Sequence, residues 1–185
     1  MLNLEQLHPE QLRPLRRTEY DRLVELGAFD EDEHVELLSG MLVAMSPLGP
    51  DHAAVISWLT QELVHALRRR AEVRVQLPLA LSDDSEPEPD LTVVPPGDYR
   101  AAHPTHAWLV VEVANATLRK DRLIKARLYA EAGIPEYWIV NLADQVLLVH
   151  RQPVSGAYTS VTEHRAGRAH LAKFPDVAID VAALW

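Results

Sequence analysis

Hydrophobic and polar positions along this chain recur with two different periods, and the switches between them predict its elements. Thr18, then Asp21, Leu23, Val24 and Leu26 before Gly27 read as a short capped helix that ends at a glycine and serves as an N-terminal cover. His34 to Leu38 and Met41 to Met45 are short, mostly apolar arms around Ser39-Gly40, a two-residue hairpin turn. From Asp51 to about Arg70, apolar residues at Val55, Ile56, Leu59, Leu63 and Leu67 keep helical spacing, which predicts a first long helix with one buried stripe. Val73, Val75, Leu77, Leu79 and Leu81 instead alternate strictly, the period of a strand buried on one face, with Pro78 marking an edge or a bend.

Past an acidic loop, Pro89-Asp90-Leu91-Thr92-Val93-Val94 is rich in strand formers and is stopped by Pro95-Pro96. Ala107 to Val113 is almost continuously apolar, as a central strand covered on both faces should be, and its single charge is Glu112. Leu118 to Ala132 has a helical pattern, with Asn115 or Thr117 as candidate caps and Gly133 followed by Pro135 as the stop. Glu136 to Val140 returns to strand, Ala143-Asp144 turns, and Gln145 to Val149, Tyr158 to Thr162 and a last turn at Val181 to Trp185 complete the chain. With no repeat, low-complexity tract or linker, the order helix, three strands, helix, strand predicts one α/β domain over residues 1–185, a mixed sheet with an N-terminal hairpin and C-terminal strands.

Composition narrows the chemistry. A chain of 185 residues can bury one continuous core, and 48% hydrophobic with 24% charged residues is ordinary for a globular protein. The longest apolar runs are too short to span a bilayer, and Met1 to Glu5 lacks the start of a secretory signal, so no membrane partner and a cytoplasmic location are expected. The absence of cysteine excludes disulfides and thiolate ligands, leaving oxygen and imidazole donors for any metal and favouring Mg²⁺ or Mn²⁺. A net charge of −9 argues against coating nucleic acid by bulk electrostatics. Acid concentrates at Asp30 to Glu33 and Asp83 to Glu88, whereas Arg119, Lys120, Arg122, Lys125 and Arg127 crowd one later segment that could meet phosphates.

Glu112 is the most informative residue, because an ionised carboxylate inside a buried strand must be paired, protonated or bound to metal. Asp90 opens a neighbouring strand, and two such strands can bring two carboxylates to one point that holds a divalent ion. The residues also permit a plainer arrangement in which Glu112 points outward at a strand end and Asp90 caps a turn. Asp121, Lys125 and Tyr129 recur every four residues and share a helix face, where Asp121 and Lys125 form either a surface ion pair or part of a site facing Glu112. His103-Pro104-Thr105-His106 reads as a polar connection. No G-x-S-x-G elbow, phosphate-binding glycine loop or dinucleotide fingerprint occurs, which leaves serine hydrolases, P-loop enzymes and Rossmann oxidoreductases without support.

Taken together, Glu36-Leu37-Leu38-Ser39-Gly40, His52, Pro89-Asp90-Leu91, Val111-Glu112-Val113, Asp121 with Lys125, and Tyr129-x-x-x-Gly133-Ile134-Pro135-Glu136-Tyr137-Trp138-Ile139-Val140 resemble the Uma-type restriction endonuclease family of the PD-(D/E)XK nuclease superfamily, over roughly residues 18 to 185. The resemblance implies a restriction-endonuclease-like fold and a Mg²⁺ or Mn²⁺ site made by Asp90, Glu112 and the carbonyl of Val113, with Glu36 close by and His52, Asp121 and Tyr129 in support. The superfamily lysine would fall at position 114, which is Ala114 here; the matching lysine is Lys125 on the following helix. The expected activity is metal-dependent hydrolysis of DNA by Asp90, Glu112 and Lys125, in a homodimer because cutting both strands needs two single-site copies. The alternative is a non-catalytic nuclease-like module that binds nucleic acid or a protein and keeps the carboxylates for its fold.

Overall fold

The run around Glu112 forms the middle of the molecule. In a computed structural model that describes residues 12–30, 32–115 and 117–185, β5 (Leu109–Ala114) lies between β4 (Leu91–Val94), antiparallel to it, and β6 (Glu136–Asn141), parallel to it. Around them β3 (Glu72–Val75), β7 (Val146–Val154) and β8 (Ala157–His164) complete a six-stranded mixed sheet in the order β3-β4-β5-β6-β7-β8. The parallel step from β5 to β6 needs a crossover, and the second long helix supplies it. The expected mixed-sheet architecture is the one observed. Met1 to Glu5 and Glu31 of the first acidic run lie outside the described residues.

Each face of the sheet is covered by one long helix. Helix α2 (Pro50–Leu67) opens with proline at its first position and buries Val55, Ile56, Leu59, Leu63 and Leu67 against Leu91, Val93, Leu109, Val111 and Val113. The second layer is the crossover helix α3, which runs as α-helix over Leu118–Lys120, as a π-helical turn over Asp121–Lys125 and as α-helix again over Ala126–Glu131. It ends as expected, with Gly133 at φ +70°. Strand alternation sends Val110, Glu112 and Ala114 to the α3 face, so Glu112 points into a layer that otherwise holds Tyr129, Ile134, Tyr137 and Ile139.

The N-terminal hairpin, β1 (Val35–Leu38) and β2 (Met41–Ala44), turns through Ser39 and Gly40, both at positive φ, and forms its own two-stranded sheet. It docks through the loop ahead of β4: Leu37 and Glu86 exchange two backbone hydrogen bonds, at 3.3 and 2.8 Å, and Ser39 N–H donates to Ser85 Oγ at 2.9 Å. Gly40 is required there, because a Cβ would fall 2.3 Å from that of Pro14. Helix α1 (Arg17–Glu25) lies beside the hairpin, with the Tyr20 hydroxyl donating to the Val35 carbonyl at 2.9 Å.

Four expectations change. The helix cap is not Thr18: Arg16 precedes the helix and its N–H donates to Glu19 Oε2, the side chain three residues on. The strand predicted over 73–81 stops at Val75, because Gln76 at φ +47° turns the chain out of the sheet. The apolar alternation continues through an irregular segment in which Leu77 is exposed while Leu79 is buried. The strand near 158 begins at Ala157 and runs to His164, and two short strands, β9 (Arg168–His170) and β10 (Ala178–Asp180), pair antiparallel in a stretch without a recognisable pattern. The buried Glu136 fastens this tail, accepting from Trp138 Nε1, Arg151 and the Ala172 N–H.

Glu86, in the hairpin's docking loop, generates a test. Its side chain is 4% exposed, Oε2 has no hydrogen-bond partner among the described residues, and Arg17 is 3.7 Å away. Burial, reinforced by Asp21, pushes its pKa from 4.5 up to about 7. A carboxyl whose folded pKa stands above its unfolded value lowers stability progressively as pH rises between the two, and fully above the higher. Glu86→Gln is therefore expected to be more stable than wild type near pH 8, by up to about 3 kcal/mol, with the difference shrinking toward pH 5. Urea unfolding at the two pH values checks this; a pH-independent difference would refute it.

Candidate active site

Continuing the β4–β5 register one step past Leu91↔Val111 places Asp90 opposite Glu112, so both carboxylates rise from adjacent strands on one face. Pro89 helps end the ladder there, and the Val113 N–H donates to Asp90 Oδ2 at 2.7 Å. Ala114 O accepts from Leu142 N on the β6 side, so strand alternation turns the Val113 carbonyl the other way, toward Asp90. The outward-pointing Glu112 and turn-capping Asp90 do not occur: both side chains are buried and line one cavity of about 340 Å³.

Glu112 Oε1 accepts from Lys125 Nζ at 2.9 Å and from the Tyr129 hydroxyl at 2.7 Å. Lys125 is no surface residue; its side chain is 3% exposed and its Nζ also lies 3.0 Å from Glu36 Oε2. Glu36, fully buried, receives Lys120 Nζ on Oε1 at 2.9 Å and the Glu88 N–H on Oε2 at 3.3 Å. The partners of Lys125 are thus Glu112 and Glu36. Asp121, which by spacing could pair with or steer Lys125, instead leaves Oδ2 without a hydrogen-bond partner among the described residues. Tyr129, expected in support, acts on Glu112.

The π-helical turn organises this network. The Ala126 N–H bonds to the Asp121 carbonyl five residues back, and the Tyr137 hydroxyl donates to that same carbonyl at 3.2 Å. On a regular α-helix Lys120 and Lys125 would point about 140° apart. An i→i+5 turn brings residues five apart onto one face, and here both ammonium groups reach the two oxygens of Glu36. Lys120 belongs to the site and was not singled out by the motifs; its spacing signals nothing unless the turn is known. The three arginines of the same basic segment, Arg119, Arg122 and Arg127, line a separate groove on the outer side of α3.

His52, near the start of α2, brings Nε2 to 3.0 Å from Asp90 Oδ2, but off the line a hydrogen bond requires, and it has no other hydrogen-bond partner among the described residues. His103 and His106 sit in the loop before β5, in keeping with a polar connection.

Burial drives the electrostatics. It pushes Glu112 up to about 8, assisted by Asp90 and opposed by Lys125. Burial would also lower Lys125 and raise Glu36, yet Glu112 and Glu36 hold the ammonium above its usual value, and Lys125 with Lys120 holds Glu36 below its own. Asp121 is raised by burial against a hydrogen bond with Thr117. Six carboxylates (Glu36, Asp51, Glu88, Asp90, Glu112 and Asp121) face two lysines across the cavity.

No three His, Asp or Glu side chains among the described residues form a ready-made metal cage. The donor set nevertheless fits a hard divalent ion. Asp90 Oδ1 and Glu112 Oε2 have no hydrogen-bond partner among the described residues, the Val113 carbonyl turns to the same side, and Asp121 contributes an orphaned buried oxygen.

No curated protein matches the chain. A crystal structure at 1.96 Å of "a putative nuclease belonging to DUF820" from Anabaena variabilis ATCC 29413 is similar over 92% of this chain and 97% of that one, with a TM-score of 0.73 and 16% sequence identity. That likeness establishes the fold as restriction-endonuclease-like. The family model for Uma2, described as "putative restriction endonuclease", matches residues 17–182. With nearly its whole length matched, the chain belongs to the Uma2 family.

Proposed function

We propose that the chain is a Mg²⁺- or Mn²⁺-dependent endonuclease that hydrolyses phosphodiester bonds of DNA in the cytoplasm, working as a homodimer. Asp90, Glu112 and the Val113 carbonyl serve as metal ligands. The observation that carries this reading is the opposition of Asp90 and Glu112 across the end of the β4–β5 ladder, with a buried ammonium on the second carboxylate. A divalent ion bound there would supply Lewis-acid polarisation of a phosphoryl oxygen. Lys125, kept protonated by Glu112 and Glu36, enters as a cation: it orients the attacking water and stabilises charge growing on the phosphoryl group. Tyr129 and Glu36 position Lys125 and Glu112 from opposite sides, and His52 stands beside Asp90 to meet the substrate. The self-satisfied contacts of Glu36, Lys125, Glu112 and Tyr129 also favour a second reading, a non-catalytic nuclease-like module, which the following measurements separate from the first.

Mn²⁺ at a hundred times its dissociation constant should stabilise the wild type by about 2.7 kcal/mol, raising its melting temperature by roughly 5–10 °C. Asp90→Asn should keep the fold, because its amide oxygen can still accept from Val113 N–H, and should lose this shift. An unchanged shift in Asp90→Asn removes Asp90 from the metal site.

Proton competition sets the pH dependence. Burial raises the Glu112 pKa above the ordinary carboxyl range, whereas the ion requires the carboxylate, so metal binding displaces protons from this site as pH falls. Affinity for Mn²⁺ is expected to rise from near pH 6 toward pH 8 and then level. Calorimetry in buffers of different ionisation enthalpy reads both effects, and pH-independent binding would contradict them.

Lys125→Met leaves Glu36 and Glu112 facing each other without their ammonium. It should cost about 3–5 kcal/mol without metal and regain part of this on Mn²⁺ saturation. Where the variant is folded, cleavage of supercoiled DNA in Mn²⁺ should fall by about 10²-fold or more. Equal rates would exclude Lys125 from the chemistry, and no cleavage by the wild type would favour the non-catalytic module.

A further inference from the structure

Lys120 and Lys125 share Glu36 but differ in what holds them. Lys125 lies between two carboxylates and is 3% exposed, whereas Lys120 has one carboxylate partner and is 21% exposed at the cavity mouth. These are the two lysines among the described lining residues, set against six carboxylates. A phosphodiester entering this cavity meets repulsion, and a metal on Asp90 and Glu112 offsets it only at the scissile group. The adjoining phosphates need a cation that can reach them. When Lys120 leaves, Glu36 keeps a cation, because Oε2 retains Lys125 and the Glu88 N–H, and only Oε1 gives up its donor. The π-helical turn explains why an ammonium stands at this position at all, since on a regular helix it would face away from Glu36.

Resting on the nuclease reading, we propose that Lys120 is a substrate-binding residue: Glu36 parks its ammonium at the cavity mouth, and it transfers to a phosphate of the nucleic-acid backbone next to the one being cut. Glu36 is then a positioning residue for two cations, the inner one serving the reacting centre and the outer one the strand that leads to it. The contact is to a backbone phosphate, so it carries affinity and register rather than sequence preference.

The test is binding of a labelled DNA oligonucleotide by fluorescence anisotropy in Ca²⁺ over a series of KCl concentrations. Loss of one phosphate contact in Lys120→Gln should lower the log–log salt slope by about one and weaken binding about tenfold near 0.1 M salt. Lys120→Arg should keep the slope. A neutralising role toward Glu36 alone would lower the melting temperature of Lys120→Gln and leave the slope at the wild-type value, which overturns the proposal. If Lys120→Gln fails to fold, acetylation of the wild type by an N-hydroxysuccinimide ester, read at Lys120 by peptide mass spectrometry, replaces it. Oligonucleotide should then protect Lys120, and equal labelling with and without DNA counts against the contact. A wild type that binds no oligonucleotide overturns the nuclease reading and this inference together. A wild type that binds and cuts while Lys120→Gln keeps its slope overturns this inference alone.

Discussion

A carboxyl taken into the interior of a sheet loses its hydration, and the loss amounts to several kcal/mol unless donors replace the water. Glu112 imposes this condition on the structure around it. Its strand is buried on both faces, so the donors must come from the layer above, and Lys125 and Tyr129 arrive one helical turn apart on α3. Burying Lys125 raises the same difficulty with opposite sign, and a second carboxylate, Glu36, answers it. Glu36 comes from the hairpin, which therefore has to dock, and the loop over 82–88 provides the edge on which it docks. One buried charge thus accounts for the placing of a crossover helix, a hairpin and a connecting loop.

Much of this frame can be read from the residues because it follows periodicity. The long helix over 50–67, the hairpin turn, the central strand and the glycine stop of α3 each rest on a local rule that the tertiary structure leaves intact. The readings that fail do so where a single dihedral or a distant partner decides. Nothing in Val75-Gln76-Leu77 announces that Gln76 takes a positive φ, so the alternation looks unbroken to Leu81. The cap at Arg16 is made by the Glu19 side chain returning to a backbone N–H, a role in which residue 16 itself shows no preference.

The site was legible to a different depth. Glu112 stands out because charge in an apolar run demands a reason, whereas Lys125, which spacing alone leaves as a possible surface ion pair, is picked out by the family resemblance. Pairing is harder to read than presence. Spacing of four joins Asp121 to Lys125 and hides Lys120, whereas the π-helical turn changes which residues share a face. It also divides the basic segment. The lysines turn inward to the carboxylates, and the arginines, bulkier and fork-shaped, stay on the outer groove. A net charge of −9 is compatible with this local sorting, since the ends of β4 and β5 gather acid and the helix beside them gathers base.

The hairpin sheet is separate from the main one and is fastened to the rest through a few backbone bonds, the Ser85 and Tyr20 hydroxyls and the contacts of Glu36 with Lys120, Lys125 and the Glu88 N–H. Elements held this way open more often than a central strand, by fluctuations that need not unfold the domain. Each opening of β1 withdraws Glu36 and leaves two ammonium groups facing the remaining carboxylates. The charge arrangement at the ends of β4 and β5 therefore lasts only while a peripheral two-stranded ribbon stays docked, and amide exchange along Val35–Leu38 reports how long that is.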